Sequence, residues 1–149
     1  MKHQTRIRVR YAETDQMGVV YYANYLVWME IGRVELVREI GVDYKDLEQR
    51  EGLFLAVVES HCRYLSPARY DQEVEVETWL AGATPRTIDF GYNFRALDSE
   101  RPIARGATRH VWLNRQMRVT RLPEQYLNLL TPHCILSSAP VRLKADGLI

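Results

Sequence analysis

Residues 11–41 read YAETDQMGVVYYANYLVWMEIGRVELVREIG, a short polar segment that leads into a long apolar one. Within the apolar part, hydrophobic residues recur every three or four positions, which is the period of an α-helix. One such stripe consists of Tyr22, Tyr25, Met29, Gly32, Leu36 and Ile40, and a second of Val27, Ile31 and Val34. Because apolar residues cover most of its first half, we expect a helix over 20–40 that is buried on more than one side and ends at Gly41.

The residues on either side of this helix predict strands. One strand precedes it, over 5–11, where apolar and basic residues roughly alternate. The segments that follow predict a short helix over 43–50, strands over 53–65, 72–80, 87–97 and 102–114, and a closing helix over 122–130. Strands in series with short connections form an antiparallel sheet, and a single buried helix must lie against one face of it. We therefore expect an α+β fold, a curved antiparallel sheet around one long helix, with one domain over 1–130 and a tail over 131–149.

Composition and charge exclude several classes of protein. The net charge is only +1 over 149 residues, too small for a general nucleic-acid-binding protein. No apolar run is long enough to span a membrane, and the N-terminal residues lack the apolar core of a signal peptide, so we expect a cytoplasmic protein. Cys62 and Cys134 match no metal or redox spacing and are expected to be reduced. We expect neither a metal nor a cofactor, since the histidines are scattered and no phosphate-binding glycine loop is present.

Asp15 is the carboxylate with the clearest chemical potential. It lies just before the predicted helix, whose first turn has free backbone N–H groups and the positive end of the helix dipole. Such N–H groups can stabilise an oxyanion, and a neighbouring carboxylate can act as nucleophile or as general base for a water. A carboxylate in this position is more typical of a simple helix N-cap, with Gly18 supplying a turn.

Two motifs carry a resemblance to a known family. The first is formed by Tyr11, Thr14, Asp15, Gly18, Val19, Val20, Tyr21, Asn24, Tyr25, Glu30 and Arg33, and the second by the segment YLSPARYD over 64–71. Together they resemble the 4-hydroxybenzoyl-CoA thioesterase branch of the hotdog superfamily, which includes the bacterial acyl-CoA thioesterases linked to the Tol–Pal system. The similarity covers about 5–130, nearly the whole predicted domain.

The resemblance implies a function and a site. It implies hydrolysis of an acyl or aroyl thioester, with Asp15 as the catalytic carboxylate and the N–H groups near Tyr22 and Ala23 binding the thioester oxygen. Gly18, Tyr21 and Asn24 are then expected to contact the substrate. The Tol–Pal-linked enzymes have a histidine where this chain has Tyr22, whereas the 4-hydroxybenzoyl-CoA enzyme has a tyrosine. The resemblance therefore leaves open whether the substrate carries an aromatic or a longer acyl group.

Further binding residues are predicted from charge. Arginines predominate between 86 and 121, a pattern typical of a solvated sheet edge or of a site for a phosphorylated ligand. We expect Arg63, Arg69 and Arg86 to bind the phosphates of CoA. Glu59 and His61, two apart on one strand, form either an acid–base pair at the substrate or a polar edge.

Several functions remain open from the sequence. The acyl group is carried either by CoA or by an acyl carrier protein, and a non-catalytic acyl-thioester-binding protein is a third possibility, in which Asp15 only caps the helix. A hydratase is disfavoured because the helix carries no aspartate–histidine pair. The apolar helix and the open sheet edges favour a homodimer or homotetramer, and the resemblance implies that its two sheets are continuous, with the active site at the contact.

Overall fold

The computed structural model describes residues 1–135, which form a five-stranded sheet and one long helix. The strands are β1 (Lys2–Arg8), β2 (Phe54–Tyr64), β3 (Glu73–Ala83), β4 (Thr87–Ala96) and β5 (Pro102–Leu113). The α-helices are α1 (Asn24–Ile40), α2 (Tyr44–Asp46), which continues into a π-helical turn over Leu47–Glu51, and α3 (Glu124–Leu130). Short 3-10 turns cover Tyr11–Glu13 and Thr131–His133. The predicted α+β class is confirmed.

The sheet order is β1-β3-β4-β5-β2, and every neighbouring pair is antiparallel. The hairpins β3–β4 and β4–β5 form its centre, whereas β1 and β2 are its two edges. Helix α1 packs mainly across β1 and β3. It therefore leaves the inner face of the edge strand β2 uncovered, and this asymmetry shapes the candidate site.

The core lies between α1 and the inner face of the sheet. Fully buried side chains on α1 include Trp28, Met29 and Leu36, and they face buried residues of β3, β4 and β5. Facing residues are Val74, Val76, Leu80, Phe90, Tyr92, Phe94 and Trp112. Alternate residues of the same strands point to the outer face, where ion pairs such as Arg95–Glu75 (2.7 Å) form a charged layer.

The first two predicted elements are displaced along the chain. β1 occupies Lys2–Arg8 instead of 5–11, because pairing with Glu73–Trp79 of β3 fixes its register. Helix α1 begins at Asn24 instead of residue 20. Val20 is instead held in extended backbone by a bridge to Thr14 and by donation of its N–H to the carbonyl of Ala68 (2.8 Å). Val19 and Val20 are therefore part of a tertiary strand contact, although they fit a helical period.

The later elements agree more closely with the prediction. Helix α1 ends at Ile40, and Gly41 adopts the left-handed conformation (φ 102°) that terminates helices. The short helix predicted over 43–50 is three α-helical residues followed by the π-helical turn. The predicted tail starts as a 3-10 turn, and Ile135 donates its N–H to the carbonyl of Leu80 (2.8 Å). The prediction for residues 136–149 lies outside the described part of the chain.

Candidate active site

Asp15 lies in a tight loop that joins two bridged segments. Its N–H donates to the carbonyl of Val19 (2.9 Å), and its own carbonyl accepts from the N–H of Gly18 (2.9 Å). One carboxylate oxygen, Oδ1, accepts from the N–H of Met17 (2.8 Å), which fixes the side chain as an Asx turn. Gly18 has φ 74°, a conformation that favours glycine in this loop. The side chain of Asp15 is thus oriented by its own loop while remaining half-exposed.

The structure rules out the helix-cap role for Asp15. The N-cap of α1 is Ala23, and no side chain caps this helix end. Asp15 comes nine positions before the first helical residue, because Val19 and Val20 form strand bridges and a turn follows them. The position of the carboxylate just before the helix, predicted from the sequence, is therefore wrong along the chain. Contacts in space bring the two together instead.

Glu13 makes those contacts. Its carbonyl accepts from the N–H of Tyr21 (2.8 Å) and from the side-chain amide of Asn24 (2.8 Å), which tethers the Asp15 loop to the start of α1. Its carboxylate is 5% exposed and accepts from Trp28 Nε1 (2.7 Å) and from the N–H of Arg10 (2.9 Å). Burial alone would raise the pKa of Glu13, but these hydrogen bonds and the charge of Arg10 lower it below its ordinary value. Glu13 is thus a buried anion with a structural role.

The turn that leads into α1 presents free backbone donors beside this loop. In residues 1–135, the N–H groups of Tyr22 and Ala23 donate no hydrogen bond, whereas those of Tyr21 and Asn24 on either side do. Two adjacent free N–H groups at the positive end of a helix can stabilise a developing oxyanion. Asn24 is expected from the sequence to bind substrate, but its side-chain amide donates a hydrogen bond to the carbonyl of Glu13.

Aromatic side chains surround the start of the helix. The rings of Tyr21 and Tyr22 lie 4.6 Å apart, and Tyr64 of β2 donates its hydroxyl to the carbonyl of Tyr22 (3.0 Å). Tyr22 is 60% exposed, so it is a surface residue and not a core tyrosine. Tyr25 is buried beneath it, and burial raises its pKa to about 12. Tyr64 was not singled out in the sequence, although the second motif begins with it.

A trough of exposed apolar residues extends from this point between α1 and β2. It is lined by Leu26 of α1, on the helix side beyond Met29, and by Val57, Ser60 and Tyr64 of β2. The β2 side chains belong to the inner face because their register partners on β5 are the buried residues His110, Thr108 and Ala104. An acyl chain attached to a carbonyl at the helix start would lie along this trough.

The predicted phosphate-binding arginines do not lie together. Arg69 is at the Asp15 loop, where it forms a bridge with Val19 and its guanidinium lies beside Gly18. Arg63 is on the outer face of β2, opposite Arg105. Arg86 lies in the β3–β4 turn, one full strand length or roughly 30 Å from the Asp15 end of the sheet. Within one copy of the chain, Arg69 is the arginine of the three that lies at the Asp15 loop.

Glu59 and His61 face away from the site. Glu59 is paired in register with Arg109, which binds Asp89 (2.9 Å) and lies 3.8 Å from Glu59 on the outer face. His61, two residues further on, shares that face. Within one chain, Glu59 is thus part of a polar edge on the outer face, away from the Asp15 loop.

Two further features concern metals and membranes. In residues 1–135 no three histidine, cysteine or carboxylate side chains are grouped so as to hold a metal ion. Over the same residues, none of the helices combines the length and the apolar character needed to cross a bilayer.

Comparison with known proteins identifies relatives of this chain. YneP of Bacillus subtilis, provisionally named an acyl-CoA thioesterase, is 45% identical over 58% of this chain and 62% of its own length. The chloroplastic acyl-acyl carrier protein thioesterase ATL3 of Arabidopsis thaliana is 31% identical over 81% of this chain and 63% of its own. The match thus spans less than two thirds of each relative.

The solved structures agree with the predicted hotdog fold. The DHNA-CoA thioesterase of Staphylococcus aureus superposes with a TM-score of 0.83 at 25% identity, covering 88% of this chain and 89% of that one. The family model of the Thioesterase-like superfamily matches residues 9–130, which include the Asp15 loop, α1 and all of β2–β5. The chain therefore belongs to the Thioesterase-like superfamily.

Proposed function

We propose that this protein hydrolyses an acyl-CoA thioester to a free acid and CoA, with Asp15 as the catalytic carboxylate. The observation that carries the proposal is the pairing of an oriented, half-exposed carboxylate with two free N–H groups, those of Tyr22 and Ala23. The hydrogen bonds of the Glu13 carbonyl tie the two parts together. A thioester carbonyl bound by these N–H groups would lie at the helix start, to which the Asp15 loop is tethered.

The chemistry follows one of two routes. In the first, Asp15 attacks the carbonyl carbon, the C–S bond breaks to release the CoA thiolate, and water then hydrolyses the resulting anhydride. In the second, Asp15 takes a proton from a water that attacks the same carbon, and the thiolate leaves after the tetrahedral intermediate collapses. In both, the N–H groups of Tyr22 and Ala23 stabilise the oxyanion, and water is the second reactant.

The remaining predicted residues have supporting roles in this proposal. Gly18 and Tyr21 shape the mouth of the site, and Asn24 holds the Glu13 carbonyl so that the helix start stays aligned. Arg69 is the cation placed to bind a CoA phosphate at the mouth. The motifs over 11–33 and 64–71 favour the 4-hydroxybenzoyl-CoA branch, and the exposed Tyr22 favours an aromatic or longer acyl group.

We further infer that the working unit is a homodimer, or a tetramer built from such dimers. β2 is an open edge, and Phe54, Val57 and Val58 are exposed along it next to the apolar trough. Antiparallel pairing of two β2 strands would make one continuous sheet and cover the trough. It would also bring the Arg86 turn of one copy to the same end of the joined sheet as the Asp15 loop of the other, which would restore the predicted role of Arg86.

The decisive experiment compares wild type with Asp15→Asn. Thiol release is measured with a panel of short, long and aromatic acyl-CoAs. Asparagine can still accept the hydrogen bond from Met17, so the loop is preserved while the charge is lost. We expect kcat to fall by about a hundredfold or more, the usual contribution of a catalytic acid or base.

Asp43→Asn is the matched control. The Asp43 carboxylate accepts from the N–H of Lys45 (2.8 Å) in the same kind of Asx turn, at the start of α2. Its kcat is expected to stay at the wild-type value. Full activity in Asp15→Asn would contradict the catalytic role, and binding of acyl-CoA by wild type without turnover would indicate a binding protein.

A carrier-protein substrate is the second candidate. It is favoured by the similarity to ATL3, named for acyl-acyl carrier protein, and by Arg63 and Arg105, which lie opposite each other on the exposed outer face. Acidic carrier proteins would be attracted to such a patch. The test measures kcat/KM for the same acyl group linked to CoA and to a carrier protein. A higher kcat/KM for the carrier-linked substrate would identify the carrier protein, not CoA, as the acyl donor.

A further inference from the structure

A chain of buried polar groups lies on the inner face of the sheet, deeper than the proposed catalytic residues. The hydroxyl of Tyr92 is 2.9 Å from Oγ1 of Thr108, which in turn lies 2.8 Å from Nε2 of His110. His110 is 1% exposed, and among residues 1–135 its Nδ1 has no hydrogen-bond partner. The buried hydroxyl of Tyr44 also lacks one within this range. Buried polar atoms without partners are costly, and they indicate a role that packing alone does not supply.

Arg33 of α1 faces this chain. Met29 packs against Gly106 of β5, and Arg33 is one helical turn further on, which matches the two-residue step along β5 from Gly106 to Thr108. Burial lowers the pKa of His110 to about 4, and the charge of Arg33 acts in the same direction. His110 is therefore neutral near pH 7.

Among the described residues, no carboxylate pairs with Arg33. Within residues 1–135 it forms no ion pair, although it is only partly exposed. A partly buried guanidinium beside neutral hydroxyl and imidazole groups favours an anionic oxygen ligand, and its planar fork matches a carboxylate. We call Arg33, Tyr92, Thr108 and His110 the polar cluster.

The apolar trough runs beside this cluster. In register with Thr108 and His110 are Ser60 and Val57 of β2, whose side chains are exposed in the trough. At the other end of the trough, Tyr64 pairs with Ala104 and donates to the carbonyl of Tyr22. Ala104 and Thr108 are four residues apart on one strand, about 13 Å. An extended acyl chain of medium length spans that distance from the carbonyl site.

We propose that the polar cluster binds a carboxylate at the far end of the acyl chain, so that the preferred substrates are ω-carboxyacyl thioesters. The inference rests on the thioesterase function and names the substrate class for the same site. Arg33 pairs with the terminal carboxylate, and Tyr92, Thr108 and His110 supply the polar surroundings. The trough between them holds the methylene chain.

The test uses matched pairs of substrates. Hexanoyl-, octanoyl- and decanoyl-CoA are compared with the mono-CoA thioesters of the dicarboxylic acids of equal length. For wild type, kcat/KM is expected to favour the ω-carboxy member by about tenfold in the pair of optimal length, as for one charge-assisted contact. Arg33→Met is expected to remove that preference while hydrolysis of the plain acyl-CoA continues, and Arg33→Lys to retain part of it.

Arg38→Met is the control on the same helix, because Arg38 is exposed and pairs with Glu35. It is expected to leave the preference unchanged. Equal kcat/KM for both members of every pair in wild type would overturn the inference while leaving the thioesterase function intact. If Arg33→Met lowers kcat/KM for both members of a pair to the same extent, Arg33 has a structural role and the inference is also overturned. If wild type hydrolyses no thioester, calorimetric titration with the dicarboxylate mono-CoA thioesters and their plain counterparts decides the binding preference separately.

Discussion

At the scale of single residues, Glu13 shows how a side chain can organise a site without taking part in its chemistry. Replacing it by glutamine keeps its size but removes its charge, and leaves one acceptor oxygen for the donors of Trp28 and Arg10. We expect Glu13→Gln to lower the free energy of unfolding by about 1–3 kcal/mol. Chemical denaturation followed by Trp fluorescence measures this. Glu48→Gln, a change at an exposed position of the turn after α2, should have little effect.

The same residue gives the stability a dependence on pH. The pKa of Glu13 lies below 4.5 in the folded protein, so the ionised form stabilises the fold above that value. This contribution is lost as the pH falls through the lowered folded-state pKa. The unfolding free energy of Glu13→Gln should therefore decline less than that of wild type below pH 4.5. Parallel decline in the two proteins would contradict this role.

The sequence predicts the catalytic candidates of the site better than the residues that hold them in place. Asp15 stands out because the motif assigns it a role, whereas the pattern alone is more typical of a helix N-cap. The partner of Glu13 is Trp28, fifteen positions away, and no local pattern joins them. The outer-face position of Arg63 does follow from strand alternation once its neighbours Glu59 and His61 are known to face outward.

At the scale of elements, the close approach of α1 to β3 depends on Gly32. A Cβ at this position would collide with Oγ1 of Thr78 and would lie 3.4 Å from Cγ1 of Val76, both of them buried. We expect Gly32→Ala to reduce the free energy of unfolding by about 1–3 kcal/mol, because the helix must move away from the sheet. Thermal unfolding followed by circular dichroism measures the change.

Gly82→Ala on β3 is the control for that change. Its Cβ would meet Asp89 at 3.7 Å, an ordinary contact, so stability should be nearly unaltered. Equal stability of Gly32→Ala and wild type would show that α1 lies farther from β3 than described. The sequence predicts that this helix is buried on more than one side, because apolar residues cover most of its first half. The close contact at Gly32 is seen only in the structure.

The ends of α1 show what periodicity can and cannot decide. Its C-terminus was predicted correctly because Gly41 carries a local signal, the left-handed conformation. Its N-terminus is predicted four residues too early, because Val20 is apolar for another reason. Val20 contacts Thr14 and Ala68, which come from two separate parts of the chain. Only the tertiary structure distinguishes such an apolar bridge from a helical turn.

At the scale of the whole molecule, topology determines which predicted residues can act together. Arg69 and Arg86 are seventeen positions apart and lie at opposite ends of β3, so one chain cannot use both on one ligand. Strand order also leaves β2 as an edge with its inner face uncovered. These features follow from the order β1-β3-β4-β5-β2, which the sequence pattern does not specify. Both point to a second copy of the chain as part of the working site.

Val58 provides the direct test of that assembly. It lies at the bulge of β2 and is 51% exposed at the open edge. We expect wild type to have at least twice the 17.4 kDa mass of one chain by light scattering, and Val58→Lys to be a folded monomer, because a charged edge resists strand pairing. Thioesterase activity should fall together with the mass, since the trough loses its cover.

Gln4→Lys on β1, the other edge strand, is the control and should change neither the mass nor the activity. A folded 17.4 kDa wild type at micromolar concentration would exclude the shared site, and an unchanged mass in Val58→Lys would move the contact away from β2.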